Sequence, residues 1–296
     1  MRDLKNFTAV EWLKLTPLHH AIKQWRNDLM LLAYRHRQAV GEQTFLADCA
    51  RLRGRNIALV IAFEQPWALD WLLAKSKQNL QDCTVLVFDN SLRREARAEI
   101  AAVCAKHGTP YLALPSNRTL HVNRSHGLAM SWVFHRIVRA IEPATFAFLD
   151  HDLIPVLPMQ LEERLGAQDC FGLINDSAWA WQLWAGYCLF RYAKVRDLPM
   201  NFLYDFSRGL DTGGRNWPWL YRHLEHHSLR FAENTLLTVA NPVDGERREV
   251  QVVDGRWVHI GGISYNNNAD AKRQFFENLA SAIDQGKSWE ALSAEN

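Results

Sequence analysis

Nowhere does the sequence run apolar for the roughly 18 to 20 residues that a bilayer span requires. The N-terminus also lacks the continuous apolar segment of a secretory signal. The expectation is a cytoplasmic protein, with any membrane contact confined to its surface. Cysteine is sparse and unpatterned: Cys49, Cys83, Cys104, Cys170 and Cys188 are odd in number and form no CxxC or other metal-ligand spacing. That argues against a disulfide framework and a thiolate metal site, and buried thiols in a reducing compartment are the simplest account. An excess of charge is missing too. With 34 Lys and Arg against 32 Asp and Glu, the net charge is +2, so no overall field favours nucleic acid and an anionic ligand must be held locally. Internal repeats and low-complexity segments are absent.

What is present is an ordinary folded composition, 48% apolar and 22% charged over 296 residues, enough for one α/β domain with terminal extensions. Twelve tryptophans are the anomaly; the residue stacks well on sugars and bases, although most are core. Residues 1–55 read as an amphipathic helical extension, with Trp12, Leu15, Leu18, Ile22, Trp25, Leu29 and Leu32 at three- and four-residue steps. That face either packs on the main domain or forms a peripheral membrane or partner surface.

From residue 56 the pattern turns to βαβ. Strands are expected over 57–63, 84–88, 111–114 and 145–149, with helices from Pro66, over 92–108 closed by Gly108, and from His126 to Ile141. Alternation of this kind predicts a mainly parallel sheet flanked by helices. Further strands are expected over 170–174, 178–183, 186–192, 235–239, 249–253 and 257–260, in a half that reads as a substrate-shaping lid, and a final helix over Ala269–Gln285. The domain reading is 1–55, an extension; 56–265, a catalytic domain divided at 152/153 into nucleotide-binding and acceptor-binding halves; and 266–296, a helix and tail.

Ligands of open α/β sheets bind beyond the carboxyl ends of the strands, so the residues after each apolar run carry the chemistry. FAFLDHD (146–152) puts Asp150 and Asp152 where a buried strand ends. Such a pair either holds Mg²⁺ or Mn²⁺, which take carboxylates plus phosphate oxygens, or caps a turn before Pro155. FDNS (88–91) offers Asp89 and Asn90 either to a base or ribose or as a helix cap, and AFEQP (62–66) offers Ala62 and Glu64. In NRSHG, Asn123, His126 and Gly127 stand at a helix N-terminus that favours an anion, with His126 either a diphosphate or ribose contact or a structural cap. Trp179 and Trp181 share one face if extended, and Trp184 with Gly186 is the candidate acceptor platform, against a core role. Asp211, before Thr212-Gly213-Gly214, is either an N-cap or the base that takes a proton from an attacking hydroxyl. His259, two residues before paired glycines, is either a core histidine or the imidazole a two-Asp site needs.

In this order the motifs resemble those of GT-A glycosyltransferases, most closely family-2-like bacterial enzymes, over residues 56–265. The resemblance implies a GT-A, Rossmann-like fold, LDHD as the Asp-X-Asp motif and WAGY as the acceptor-side glycine loop. By it Asp150, Asp152 and His259 hold Mn²⁺ or Mg²⁺, and Asp211 is the general base of an inverting transfer. Ala62, Glu64, Asp89, Asn90, Asn123, His126, Gly127 and Asp150 become nucleotide-sugar contacts, and Trp184 and Gly186 acceptor contacts. The implied partners are a nucleotide-diphosphate sugar, UDP-linked by likeness, and a glycan or glycolipid acceptor, in synthesis of cell-surface or secreted glycoconjugates. AFEQP and FDNS depart from the family's usual signatures. A nucleotidyltransferase of the same fold is the alternative enzyme, but AFEQPW lacks the glycine-rich basic loop of that class. A silent nucleotide- or sugar-binding subunit is the alternative outside catalysis; it would keep Trp184 and Asp89 without needing Asp211.

Overall fold

The computed structural model describes residues 1–117, 119, 121–262 and 269–293. Helices α1 (Ala9–Leu13), α2 (Thr16–Arg35) and α3 (Glu42–Cys49) precede β1 (Asn56–Ala62), α4 (Pro66–Asn79), β2 (Cys83–Asp89), α5 (Arg94–His107) and β3 (Tyr111–Ala113). Then come α6 (Val122–Val133), β4 (Thr145–Asp150), β5 (Leu153–Pro155), β6 (Cys170–Asp176), β7 (Trp181–Arg191), β8 (Asn234–Ala240), β9 (Arg247–Val253) and β10 (Trp257–His259). A last long helix spans Ala269–Asp284. Helix α6 starts four residues before the expected His126, because His121 accepts from Arg124 N and caps it.

Six strands form one sheet in the order β3-β2-β1-β4-β7-β6. The first four run parallel, as the βαβ alternation requires, and β7 and β6 join antiparallel. Both faces are covered, and period-2 alternation sorts β1 cleanly: Ala58, Val60 and Ala62 enter one core, Ile57, Leu59 and Ile61 the other. On the second face Phe146 stacks on its cross-strand partner Phe190 at 5.3 Å, and Phe134, Phe148 and Phe202 complete an aromatic cluster. Burying each such ring contributes on the order of 2–3 kcal/mol.

Three expectations are corrected. Residues 178–192 hold one strand, β7, rather than two; Ala185-Gly186 continues it, and residues 177–180 form the turn before it. Trp179 therefore lies exposed in that turn and shares no strand face with the buried Trp181. The late strands are no lid either. They form a second sheet, β5-β10-β9-β8, whose Val250, Val252, Trp257 and Val258 enter the same core as Ala58 and Val60, as do Phe275, Phe276 and Leu279 of the last helix.

The third correction concerns α2. It packs through Pro17, Asn27, Leu31 and Tyr34, with the Tyr34 hydroxyl donating to the Pro115 carbonyl at 2.7 Å. The apolar row from Leu15 to Leu32 faces solvent. The expected boundary at 265/266 lies outside the described residues.

Candidate active site

A cavity of about 590 Å³ opens across the carboxyl ends of the parallel strands. The strand order fixes its layout: Asn90 and Leu92 follow β2, Ile61 and Phe63 belong to or follow β1, Asp150 ends β4 with His151 and Asp152 just after it, and Trp184 and Ala185 lie on β7. Because β7 runs antiparallel, its N-terminal half meets this edge, with Tyr187 opposite Leu149. Asn123, Ser125 and His126 of α6 and the loop residues Asp211 and Thr212 close another side.

Asp150, Asp152 and His259 each offer a ligand atom, all within 4.8 Å of one another, and among the described residues this is the one such group. The second sheet makes it possible: β10 pairs with β5 so that His259 faces Leu153, and Ile260 N donates to the Asp152 carbonyl at 3.0 Å. His259 Nε2 lies 3.6 Å from Asp152 Oδ1. Its Nδ1 is 2.6 Å from Gln251 Oε1, and an amide oxygen only accepts, so Nδ1 carries the proton and Nε2 keeps its lone pair. Gln251 is oriented in turn by donating Nε2–H to Asn234 Oδ1 at 2.9 Å.

The electrostatics match a cation site. Burial, reinforced by the charge of Asp152, pushes the Asp150 carboxyl above its ordinary pKa, against the nearby His126. Burial also opposes ionisation of Asp152, but His259 in its protonated form, with Nε2–H towards Asp152, outweighs it by hydrogen bond and charge and holds Asp152 well below the usual carboxylate range; a cation in that place would take over this role with Nε2 deprotonated. Burial disfavours protonated His259, yet Asp152 beside it raises its pKa. Two adjacent carboxylates in a poorly solvated place are costly without positive charge. Two carboxylates and an imidazole whose Nε2 can ligate are a donor set that fits Mn²⁺ or Mg²⁺.

Of the remaining candidates, Asn90, Asn123, His126, Trp184 and Asp211 line the same cavity. Asp211 Oδ1 accepts from Thr212 N at 2.7 Å and from Asn123 Nδ2, which fixes the carboxylate and leaves Oδ2 without a hydrogen-bonded partner among the described residues. His126 Nε2 is 3.7 Å from Asp150 Oδ1. The Trp184 ring meets His259 edge-on at 4.8 Å.

Ala62, Glu64, Asp89, Gly127 and Gly186 do not line the cavity. Asp89 is fully buried, accepting from Tyr111 Oη and Ser91 N at 2.8 Å each. Glu64, at φ 59°, accepts from Leu92 N and Arg93 N at the start of α5 and pairs with the Arg93 side chain. A Cβ on Gly127 would come within 2.5 Å of the Phe202 carbonyl oxygen, so this glycine serves close packing of α6. One on Gly186 would strike the Trp184 ring and lie 2.5 Å from Asp150 Oδ2, so that glycine makes room for two site residues.

Sequence reasoning passed over Phe63, Leu92, His151 and Thr212 as lining residues, and Gln251 behind His259. His151 had a signal, standing between the two acids. Gln251 had none, because only strand pairing brings it opposite His259.

No protein-family model matches the chain, and no curated protein matches it by sequence. By structure it is similar to S. aureus TarS, with a TM-score of 0.34 and 13% identity over 50% of this chain and 30% of that one. It is also similar to the mannosyltransferase PcManGT from Pyrobaculum calidifontis, solved in complex with GDP-Man and Mn²⁺, with a TM-score of 0.35 and 10% identity over 57% and 56%. The bifunctional glycosyltransferase WbbM gives a TM-score of 0.34 and 10% identity over 49% and 32%. The chain thus spans between 30% and 56% of the length of these structures, a partial likeness that assigns no residue and no ligand here.

Proposed function

We propose that the chain is a metal-dependent glycosyltransferase that moves a sugar from a nucleotide-diphosphate donor, UDP-linked in the first instance, to an acceptor hydroxyl with inversion. The observation that carries this reading is the Asp150-Asp152-His259 group at the strand ends, in one cavity with an oriented carboxylate, Asp211. A bound Mn²⁺ or Mg²⁺ supplies Lewis-acid compensation for the charge that builds on the departing diphosphate.

The chain's own residues account for the rest. Asp150, Asp152 and His259 Nε2 hold the cation, and Gln251 keeps the histidine in the ligating tautomer. Ile61, Phe63 and Leu92 offer an apolar place for the donor base, with Asn90 as a polar contact beside it. Asp211 Oδ2 takes the acceptor proton as the acceptor oxygen bonds to the anomeric carbon and the bond from that carbon to the phosphate oxygen breaks. Asn123 and Thr212 N hold Oδ1, which leaves Oδ2 to take the proton. Trp184 gives the acceptor an aromatic face.

Calorimetry with UDP and with GDP, each with and without Mn²⁺, tests the donor site. Binding should require the metal and vanish in Asp152→Ala; metal-independent binding of undiminished strength would overturn the reading. Asp211→Asn should retain nucleotide binding and lose transfer by a factor of about 10² to 10⁴. Full turnover by that variant would remove Asp211 as the base.

A further inference from the structure

The exposed face of α2 carries Leu15, Leu18, Ile22, Trp25, Leu29 and Leu32 at alternating three- and four-residue steps, a continuous apolar stripe. Exposure within it runs from 44% at Leu29 to 65% at Trp25. Leu13, 85% exposed, and Trp12 of α1 extend it at one end. An amphipathic helix ordinarily turns its apolar stripe inward, and this one buries the opposite face through Asn27, Leu31 and Tyr34. A contiguous apolar patch of this length on a soluble domain marks an interaction surface.

Charge identifies the occupant. Residues 1–40 hold seven basic and three acidic side chains, against a net charge of only +2 for the whole chain. Two of the three acids are already matched, Glu11 by Arg2 at 2.5 Å and Asp28 by Arg215 at 3.0 Å. Lys14, Lys23 and Arg26 stand on the exposed side of these helices, and no carboxylate pairs with them among the described residues. A second copy of this face would bring the same unmatched cations together, with Asp3 the one acid of the segment left to oppose them. Anionic lipid headgroups supply the missing charge, while Leu, Ile and the indole of Trp25 suit the boundary with the acyl chains.

We propose that α1 and α2 form an interfacial anchor that binds the surface of an anionic bilayer, with the Leu15–Leu32 stripe in the headgroup region. The anchor is coupled to the cavity wall by direct contacts. His20 packs edge-on against Phe206 at 5.0 Å, Phe206 meets Tyr204 at 5.7 Å, and Tyr204 stacks on His121 at 4.8 Å. His121 caps the helix that presents Asn123 and His126. Attachment would therefore orient the cavity relative to the lipid, which suits a lipid-borne acceptor; that last step rests on the transferase reading, whereas the anchor does not.

The test is flotation of the full chain with phosphatidylcholine vesicles, with and without about one-third phosphatidylglycerol. Binding should need the anionic lipid and weaken with salt. It should fall roughly tenfold or more in Ile22→Asp/Leu29→Asp and in Lys23→Gln/Arg26→Gln. All four side chains are exposed, so circular dichroism and Tm should match the wild type, which separates lost binding from lost folding. Absent binding to anionic vesicles, or binding unchanged in both variants, would overturn the proposal. So would a lipid-free dimer in sedimentation velocity that Ile22→Asp/Leu29→Asp dissociates while the wild type ignores vesicles, since the occupant would then be a second copy. None of these outcomes touches metal-dependent nucleotide binding, which is measured without lipid.

Discussion

Replacing Gln251 by Leu removes the acceptor of the His259 Nδ1–H bond while nearly preserving volume. The bond spans 2.6 Å and holds the imidazole as the tautomer whose Nε2 lies 3.6 Å from Asp152. Loss of such a partner behind a metal-binding histidine weakens affinity about 10- to 100-fold, or about 1.4–2.7 kcal/mol. The structure favours the lower end, because the Trp184 ring at 4.8 Å still restrains the imidazole from one side. Stability should fall by about 1–3 kcal/mol, the cost of leaving the part-buried Nδ1–H without an acceptor, while the other bond lost, to Asn234, is exposed and adds little. Titration with Mn²⁺, read by the electron paramagnetic resonance of the free ion, gives the affinity without any turnover. Gln251→Glu retains an acceptor for Nδ1–H and should bind as well as the wild type. His259→Ala marks the loss of the ligand itself. Wild-type affinity in Gln251→Leu beside a large loss in His259→Ala would refute the positioning role, and wild-type affinity in both would refute the site.

Gly186→Ala should also weaken Mn²⁺, by tenfold or so, because the added methyl falls 2.5 Å from Asp150 Oδ2 and against the Trp184 ring; an unchanged titration would mean the neighbours yield freely. Gly127→Ala, with its methyl within 2.5 Å of the Phe202 carbonyl oxygen, should cost about 1–3 kcal/mol in urea unfolding. His135 supplies a pH test remote from the cavity. Burial lowers its pKa from 6.5 to about 4, although its ring donates to the Met200 carbonyl. The unfolded chain therefore binds the proton first. This contribution is complete above pH 6.5 and declines as pH falls towards 4, by about 2 kcal/mol at pH 5. His135→Gln should flatten that part of the urea-derived stability profile, and an unaltered slope would discount the buried imidazole.

How much of this was legible in the sequence depended on whether the cause was local. Parallel strands buried on both faces announce themselves as short apolar runs, and Asp150 and Asp152 stand out because carboxylates ending such a run need a reason to be there. His259 could be nominated but not placed, since only the β5–β10 pairing carries it to Asp152 across more than a hundred residues. Gly186 reads as a turn in isolation. In the fold it continues β7, and its bare Cα is required by a tryptophan and an aspartate that crowd above it.

Helix α2 shows the limit most sharply. Periodicity reports that a helix has an apolar face and says nothing of which face the domain takes. Here the domain takes Asn27, Leu31 and Tyr34, a choice set by partners distant in sequence such as the Pro115 carbonyl and Arg215. A regular apolar stripe is thereby left facing outward, beside cations that no carboxylate pairs with among the described residues. A helix that satisfied only its own fold would have no use for that stripe, so its place on the surface argues for a second solvent, and Lys14, Lys23 and Arg26, which no carboxylate pairs with among the described residues, give that solvent a negative charge.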